Sequence, residues 1–262
     1  MNSQRNLHTD NYIKKRITHF LFNERGYNYI KLLKIIIDYL LNIPYEYSRI
    51  LDNLIKPGSI VFDIGANMGQ FACRFNKCVG KEGKVYSFEP VSFNFFALKK
   101  MKSFLKLKRV ELYNKGVHFE TGTTKIKIPV FENGLIVGTQ ATFVELNGIR
   151  FIEETIETIV IDSFIQNKNI SRVDHIKCDT EGNEVNVLKG AMHTIRTWLP
   201  SLSLEITHTN EFLQVLFDIG YVVFVYDKKN RMLSRELNKH GGDLILIHES
   251  KLSEYNEIIE KT

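Results

Sequence analysis

Positions 61–69 read VFDIGANMG, an apolar run that closes on one acidic residue and two spaced glycines, and a helical stretch follows. Such a run forms a buried parallel strand, and its glycines let the chain turn sharply and let a ligand approach the backbone. A second β-rich run ends in Phe88-Glu89-Pro90, about twenty residues further on, where an acidic side chain can accept hydrogen bonds from both hydroxyls of a ribose. Acidic residues at two neighbouring strand ends suit a nucleoside with a cationic tail, and S-adenosyl-L-methionine is such a molecule. Asp63 would face its ammonium group, and Gly65, Ala66, Asn67 and Gly69 would surround its polar end. Glu89 and Pro90 would hold the ribose, while Asn114 and Gly116, ending a third run, fall where the adenine edge would lie. A nicotinamide dinucleotide needs Gly-x-Gly-x-x-Gly at this turn, and the sequence with Asn67 and Met68 lacks it.

A further strand-like run closes on two carboxylates in His175-Ile-Lys-Cys-Asp179-Thr-Glu181-Gly182. Asp179 could face the cofactor and Glu181 an acceptor. Enzymes that methylate exocyclic amines of bases place an aromatic Pro-Pro-Tyr/Phe platform at this strand end, and none is present. A hydroxyl acceptor fits better, because it must lose a proton and a nearby base contributes roughly 10²- to 10⁴-fold. Asp179, Glu181 and His208 are the candidates for that base. A metal held by the same three residues is conceivable, but no metal is expected. Glu184 reads as an acid in the first turn of a helix, and Glu205 as either a structural partner or part of the pocket.

Around these residues β-rich and helical stretches alternate, which predicts a doubly wound, mostly parallel α/β sheet. Seven strands are expected, over 59–64, 84–89, 110–114, 173–179, 201–207, 221–226 and 243–248. Helices are expected over 69–79, 92–105, 184–197 and 210–217. Residues 125–130 and 155–161 read as extra β segments flanking a Gly- and Thr-rich stretch, 133–148, that is either a substrate loop or a structural extension.

With 262 residues, 44% of them hydrophobic and 25% charged, the chain has the composition of a folded domain rather than a disordered one. We expect an N-terminal helical extension over 1–56 and one catalytic domain over 57–262. Its net charge of +5 is spread along the sequence and does not require a nucleic-acid partner. Three cysteines without a C-x-x-C pair, and a polar stretch over 1–10 without a signal-peptide pattern, lead us to expect a cytoplasmic protein. The apolar stretch 29–43 is interrupted by Lys31, Lys34, Asp38 and Asn42 at helical spacing, so it does not span a bilayer. It packs on the main domain or forms a homo-oligomer contact, with peripheral membrane contact as the alternative.

Together the stretches VFDIGANMGQF, KVYSFEP, Ile161-Asp162, HIKCDTEGNEVNVLKGA and PSLSLEI resemble the FkbM-type S-adenosylmethionine-dependent methyltransferases, a branch of the class I fold. They span residues 58–207, and the fourth is the specific one. The resemblance implies O-methylation of a small-molecule or glycan hydroxyl, commonly on sugars or natural products. Gly116 stands where relatives often carry Ala. Two rival functions remain open: a non-catalytic binding or assembly protein on the same fold, and an RNA methyltransferase.

Overall fold

The computed structural model describes residues 24–43, 48–130, 138–143, 148, 150–205, 211–227, 229–235 and 243–260. Helices α1 (Glu24–Leu40) and α2 (Ser48–Leu54) precede the first alternating units: β1 (Ile60–Ile64), α3 (Gln70–Cys78), β2 (Lys84–Phe88), α4 (Ser92–Phe104) and β3 (Val110–Tyr113). A three-stranded sheet follows, made of β4 (Gly116–Val117), β5 (Gly122–Pro129) and β6 (Phe151–Ile159). The chain then runs through α5 (Ile161–Lys168), β7 (His175–Cys178), α6 (Glu184–Lys189), α7 (Met192–Trp198), β8 (Ser201–Leu204) and α8 (Glu211–Asp218). It ends in β9 (Tyr221–Asp227), β10 (Met232–Ser234) and β11 (Leu244–His248).

The main sheet has the order β10-β9-β11-β8-β7-β1-β2-β3. Pairs from β8 to β3 are parallel, and β11 lies antiparallel to both β8 and β9. All seven expected strands are present. The eighth, β10, pairs antiparallel with β9 as a three-residue edge, too short to carry a readable alternation.

Strand alternation divides the core between the two faces of the sheet. One face buries Val61 and Val85 beneath Ile35 of α1, Ile50, Leu51 and Leu54 of α2, Ala72 and Phe75 of α3, and Leu98 and Met101 of α4. The other buries Phe62, Ile64, Ile176 and Leu202 beneath Ile161 and Ile165 of α5, Val187 of α6, Ile195 of α7 and Leu213 of α8. The N-terminal helices therefore share the main core.

Two expectations change. The segment read as β over 155–161 ends at Ile159, and Ile161 begins α5. The helix expected over 184–197 is two helices with a break at residues 190–191. One residue links both changes. Asp162 accepts from the amides of His193 and Thr194, each at 2.9 Å, and from the Thr194 hydroxyl, so α5 caps the start of α7.

The turn after β1 depends on two glycines in the left-handed region, Gly65 at φ 79° and Gly69 at φ 93°. A Cβ on Gly65 would lie 1.7 Å from the carbonyl oxygen of Asp179, which belongs to the backbone of the neighbouring strand end. A Cβ on Gly69 would lie 2.4 Å from Leu98 Cδ1 and 2.5 Å from Met101 Cε, which are ends of flexible side chains. We therefore expect Gly65→Ala to cost clearly more than Gly69→Ala in urea unfolding, with about 1–2 kcal/mol for Gly69→Ala from its backbone angle alone. Equal losses would show that the Asp179 backbone yields freely.

Candidate functional site

Where β1, β2 and β7 end, they open onto a cleft of about 550 Å³, counting its open mouth. Its walls come from the β1 turn (Gly65, Asn67), the β2 end (Glu89, Pro90, Val91), α4 (Asn94), the segment after β3 (Lys115, Gly116) and the β7 end (Asp179, Thr180, Glu181, Asn183). Ile126 of the small sheet and Gly138, Ala141 and Phe143 of the segment between β5 and β6 close it on the other side. The described part of the 133–148 stretch thus borders the cleft. A second cleft, of about 470 Å³, lies between α1 and α3, and the one carboxylate in its lining, Asp38, pairs with Lys34.

Of the expected cofactor residues, Gly65, Asn67, Glu89, Pro90, Gly116 and Asp179 line the cleft together, and the expected catalytic residue Glu181 lies with them. Asp63, Ala66, Gly69 and Asn114 do not form part of that lining. Ala66 is buried and donates its amide to the Phe88 carbonyl. Gly69 makes room for α4. Asn114 is exposed and ties the β2 end in place, donating at 2.9 Å to the carbonyls of both Glu89 and Pro90. His208 lies outside the described residues.

Glu89 is buried at the cleft floor. One carboxylate oxygen accepts from the Asn67 amide at 2.7 Å, and the other from the Val91 amide at 3.0 Å and Asn94 Nδ2 at 3.2 Å. Burial pushes its carboxyl up to about 7, against the lowering effect of these donors. A carboxylate has about four lone-pair sites, so room remains for a ligand hydroxyl. Asn94 also donates to the Gly138 carbonyl at 2.9 Å, while its own Oδ1 is buried without a partner among the described residues. Sequence reasoning missed Asn94, although an amide set between phenylalanines on a helix was a visible irregularity.

Behind the cleft, Asp63 is completely buried, level in the sheet with Ser87 on one side and Lys177 on the other. Ser87 Oγ donates to Asp63 Oδ2 at 3.2 Å, and Oδ1 has no partner among the described residues. Burial lifts the Asp63 carboxyl to about 6, with the Lys177 ammonium pulling the other way. Lys177 is only 1% exposed, donates to Asp179 Oδ2 at 2.8 Å and lies 4.3 Å from the centre of the Phe71 ring. Burial would lower its pKa, and the charges of Asp179 and Asp63 outweigh that and raise it. This lysine, inside the motif HIKCDTEG, was also missed as a site residue; a charge within an apolar strand was its signal.

At the strand ends above Lys177, Asp179, Glu205 and Asp243 adjoin the paired residues Cys178, Leu204 and Leu244 of β7, β8 and β11. Carboxylate oxygens of Asp179, Glu181 and Glu205 lie within 4.8 Å of one another. Burial alone would raise Asp179; the Lys177 ammonium and a hydrogen bond with Glu205 hold it below its usual value, and Lys31 of α1 adds to the effect. The same hydrogen bond, followed by burial and by the Asp179 charge, pushes Glu205 up to about 9. Asp179 is thus the stronger acid of the two. Glu184 accepts at 2.8 Å and 3.2 Å from the amides of Thr180 and Gly182 and at 3.0 Å from the Thr180 hydroxyl, which fixes the loop bearing Glu181 at φ 53°.

The FkbM methyltransferase domain family matches residues 63–239. The chain belongs to this family. Its α/β architecture with a mostly parallel central sheet is that of the class I S-adenosylmethionine-dependent methyltransferases. Among solved structures it is similar to an FkbM methyltransferase from Methylobacillus flagellatus, at 18% identity and TM-score 0.49, over 73% of this chain and 44% of that one. It is also similar to an S-adenosylmethionine-dependent O-methyltransferase from Thermotoga maritima, at 14% identity and TM-score 0.46, over 81% and 70% of the two chains. Likeness to Aeropyrum pernix fibrillarin holding S-adenosyl-L-methionine is weaker, at 13% identity and TM-score 0.42, over 73% and 67%. The chain thus spans less than half of the Methylobacillus protein. No curated protein matches the chain. No helix among the described residues is long and apolar enough to cross a membrane.

Asp63 yields a prediction. A buried acid whose folded pKa is raised stabilises the fold fully below its unfolded value of about 4 and loses that contribution as pH rises through about 6. In the ligand-free protein, Asp63→Asn removes this titration. Wild type should lose stability relative to the variant between pH 4 and pH 7, by up to about 3 kcal/mol. Parallel pH profiles in thermal unfolding would contradict the burial argument.

Proposed function

We propose that this protein is an S-adenosylmethionine-dependent O-methyltransferase that methylates a hydroxyl on a sugar, glycan or natural-product acceptor. The observation that carries the reading is a single cleft with Glu89 and Gly65 on one wall and Asp179 and Glu181 on the other. The cofactor fits the chemistry of the lining. Glu89 keeps acceptor capacity for a ribose hydroxyl, Asn94 Oδ1 is a buried acceptor suited to an exocyclic amine, and Pro90 and Gly116 line the same cleft, where the base would lie. Gly65 and Asn67 would hold the amino-acid end. Asp63 would act through the floor as a negative charge rather than by contact.

Bound S-adenosylmethionine would supply an activated methyl group, so the chain has to align the acceptor oxygen and exclude water. Asp179, kept ionised by Lys177, is the group we assign to receive the hydroxyl proton, and Glu181 at the mouth orients the acceptor. The raised pKa of Glu205 fits this assignment, since a proton held there would leave one net negative charge on the pair opposite Lys177. His208 stays in the proposal as the alternative base. A cytoplasmic setting accords with the odd number of cysteines, each of which is unbridged.

Methyl transfer from labelled cofactor into fractionated small-molecule and glycan extracts, together with titration calorimetry, tests the proposal. We expect Asp179→Asn and Glu181→Gln each to lower turnover, by about 10²- to 10⁴-fold for the base, with cofactor affinity kept within a few-fold in Glu181→Gln. Full turnover in Glu181→Gln would remove that residue from the role. Failure of the wild type to bind the cofactor would favour a non-catalytic binding protein.

A further inference from the structure

Between Glu89 and Glu111 the chain carries five lysines, one arginine and four phenylalanines, and no acidic residue. Those six basic groups exceed the net charge of +5 for the whole chain, so the positive excess is concentrated here. The structure folds most of this stretch into α4. Asn94, Ala97, Leu98 and Met101 face inward, at the spacing of a buried helical stripe. The outward side carries Phe93, Phe96 and Phe104 at 51%, 60% and 67% exposure, with Lys99 and Lys100 between them and Lys106 and Lys108 just beyond. Lys100 Nζ sits 5.2 Å from the centre of the Phe96 ring. Burying three phenylalanines would have stabilised the fold, yet they point to water; such a grouping marks an interaction surface. Helix α1, which packs against α4, has its own exposed Leu33, Ile37 and Leu40, and exposed Leu41 follows it.

We propose that the outer face of α4 docks on an anionic lipid surface, with the phenylalanines entering the headgroup boundary and the lysines meeting the lipid charges. Aromatic rings on one side of a helix and lysines able to extend past them form the pattern of an interfacial helix. A second copy of the chain is a poorer occupant. Two-fold self-packing of α4 would set Lys99 and Lys100 near the middle of the helix against their own copies, with no acid in the stretch to offset them. Single-stranded nucleic acid would use the aromatic rings for stacking, but the aliphatic side chains of α1 offer no such platform. They do suit acyl chains. The inference does not depend on the identity of the methyl acceptor.

Co-sedimentation of the full chain with vesicles of phosphatidylcholine, and of phosphatidylcholine mixed with phosphatidylserine, provides the test. We expect partitioning to the mixed vesicles only, weakened by added salt. It should drop about tenfold or more in Lys99→Gln/Lys100→Gln. A comparable drop is expected in Phe96→Ser/Phe104→Ser, with the thermal midpoint and cofactor affinity of both variants unchanged. Three results would overturn the proposal. One is no partitioning of the wild type to anionic vesicles, and another is equal partitioning of the variants. The third is binding of single-stranded RNA, or a dimer abolished by Phe96→Ser, in place of vesicle binding.

Discussion

A cation sealed inside the sheet organises this molecule. Lys177 lies on a central strand with Asp63 beside it and Asp179 two residues further along its own strand. A lone ammonium at that depth is untenable, and a carboxylate there would be lost to protonation. Each makes the other tolerable, and the lysine holds Asp179 ionised at the edge of the cleft while Asp63 never reaches it. Ser87 completes the arrangement by donating to Asp63 from the next strand. The strand ends, the turn at Gly65 and the row of carboxylates above are consequently fixed with respect to one buried charge.

Much of the fold was legible because hydrophobic periodicity sets it. Apart from Asp63, Ser87 and Lys177, the run 61–64 and its parallel neighbours are mostly apolar on both faces, as a sheet covered on both sides requires. The glycine loop and Glu89 were legible because ligand chemistry restricts residue types at strand ends. What could not be read was orientation within a strand. Whether Asp63 opens into the cleft or lies behind its floor depends on neighbours from β2 and β7 that only the assembled register brings alongside. Helix α5 was hidden because three isoleucines and a valine continue a β pattern across residues 156–161, and the carboxylate of Asp162 in its first turn finds its partners on α7, about thirty residues away.

Local order in the loops around the site comes largely from side chains that grip backbone. Glu89 takes amides from the β1 turn and from the start of α4, Glu184 takes those of Thr180 and Gly182, and Asn183 donates to the Val117 carbonyl at 2.9 Å. Polar side chains held in this way give the loops a fixed geometry, and that rigidity suits a site that has to align two reactants. The small sheet closes the same cleft through Thr142, whose hydroxyl donates at 2.6 Å to the Glu181 carbonyl.

The contact between Gly65 and the Asp179 carbonyl leaves no slack between the two halves of the cleft. Donor and acceptor sides of the cleft therefore meet through main-chain atoms, and any side chain at the first turn would have to displace the peptide of the second.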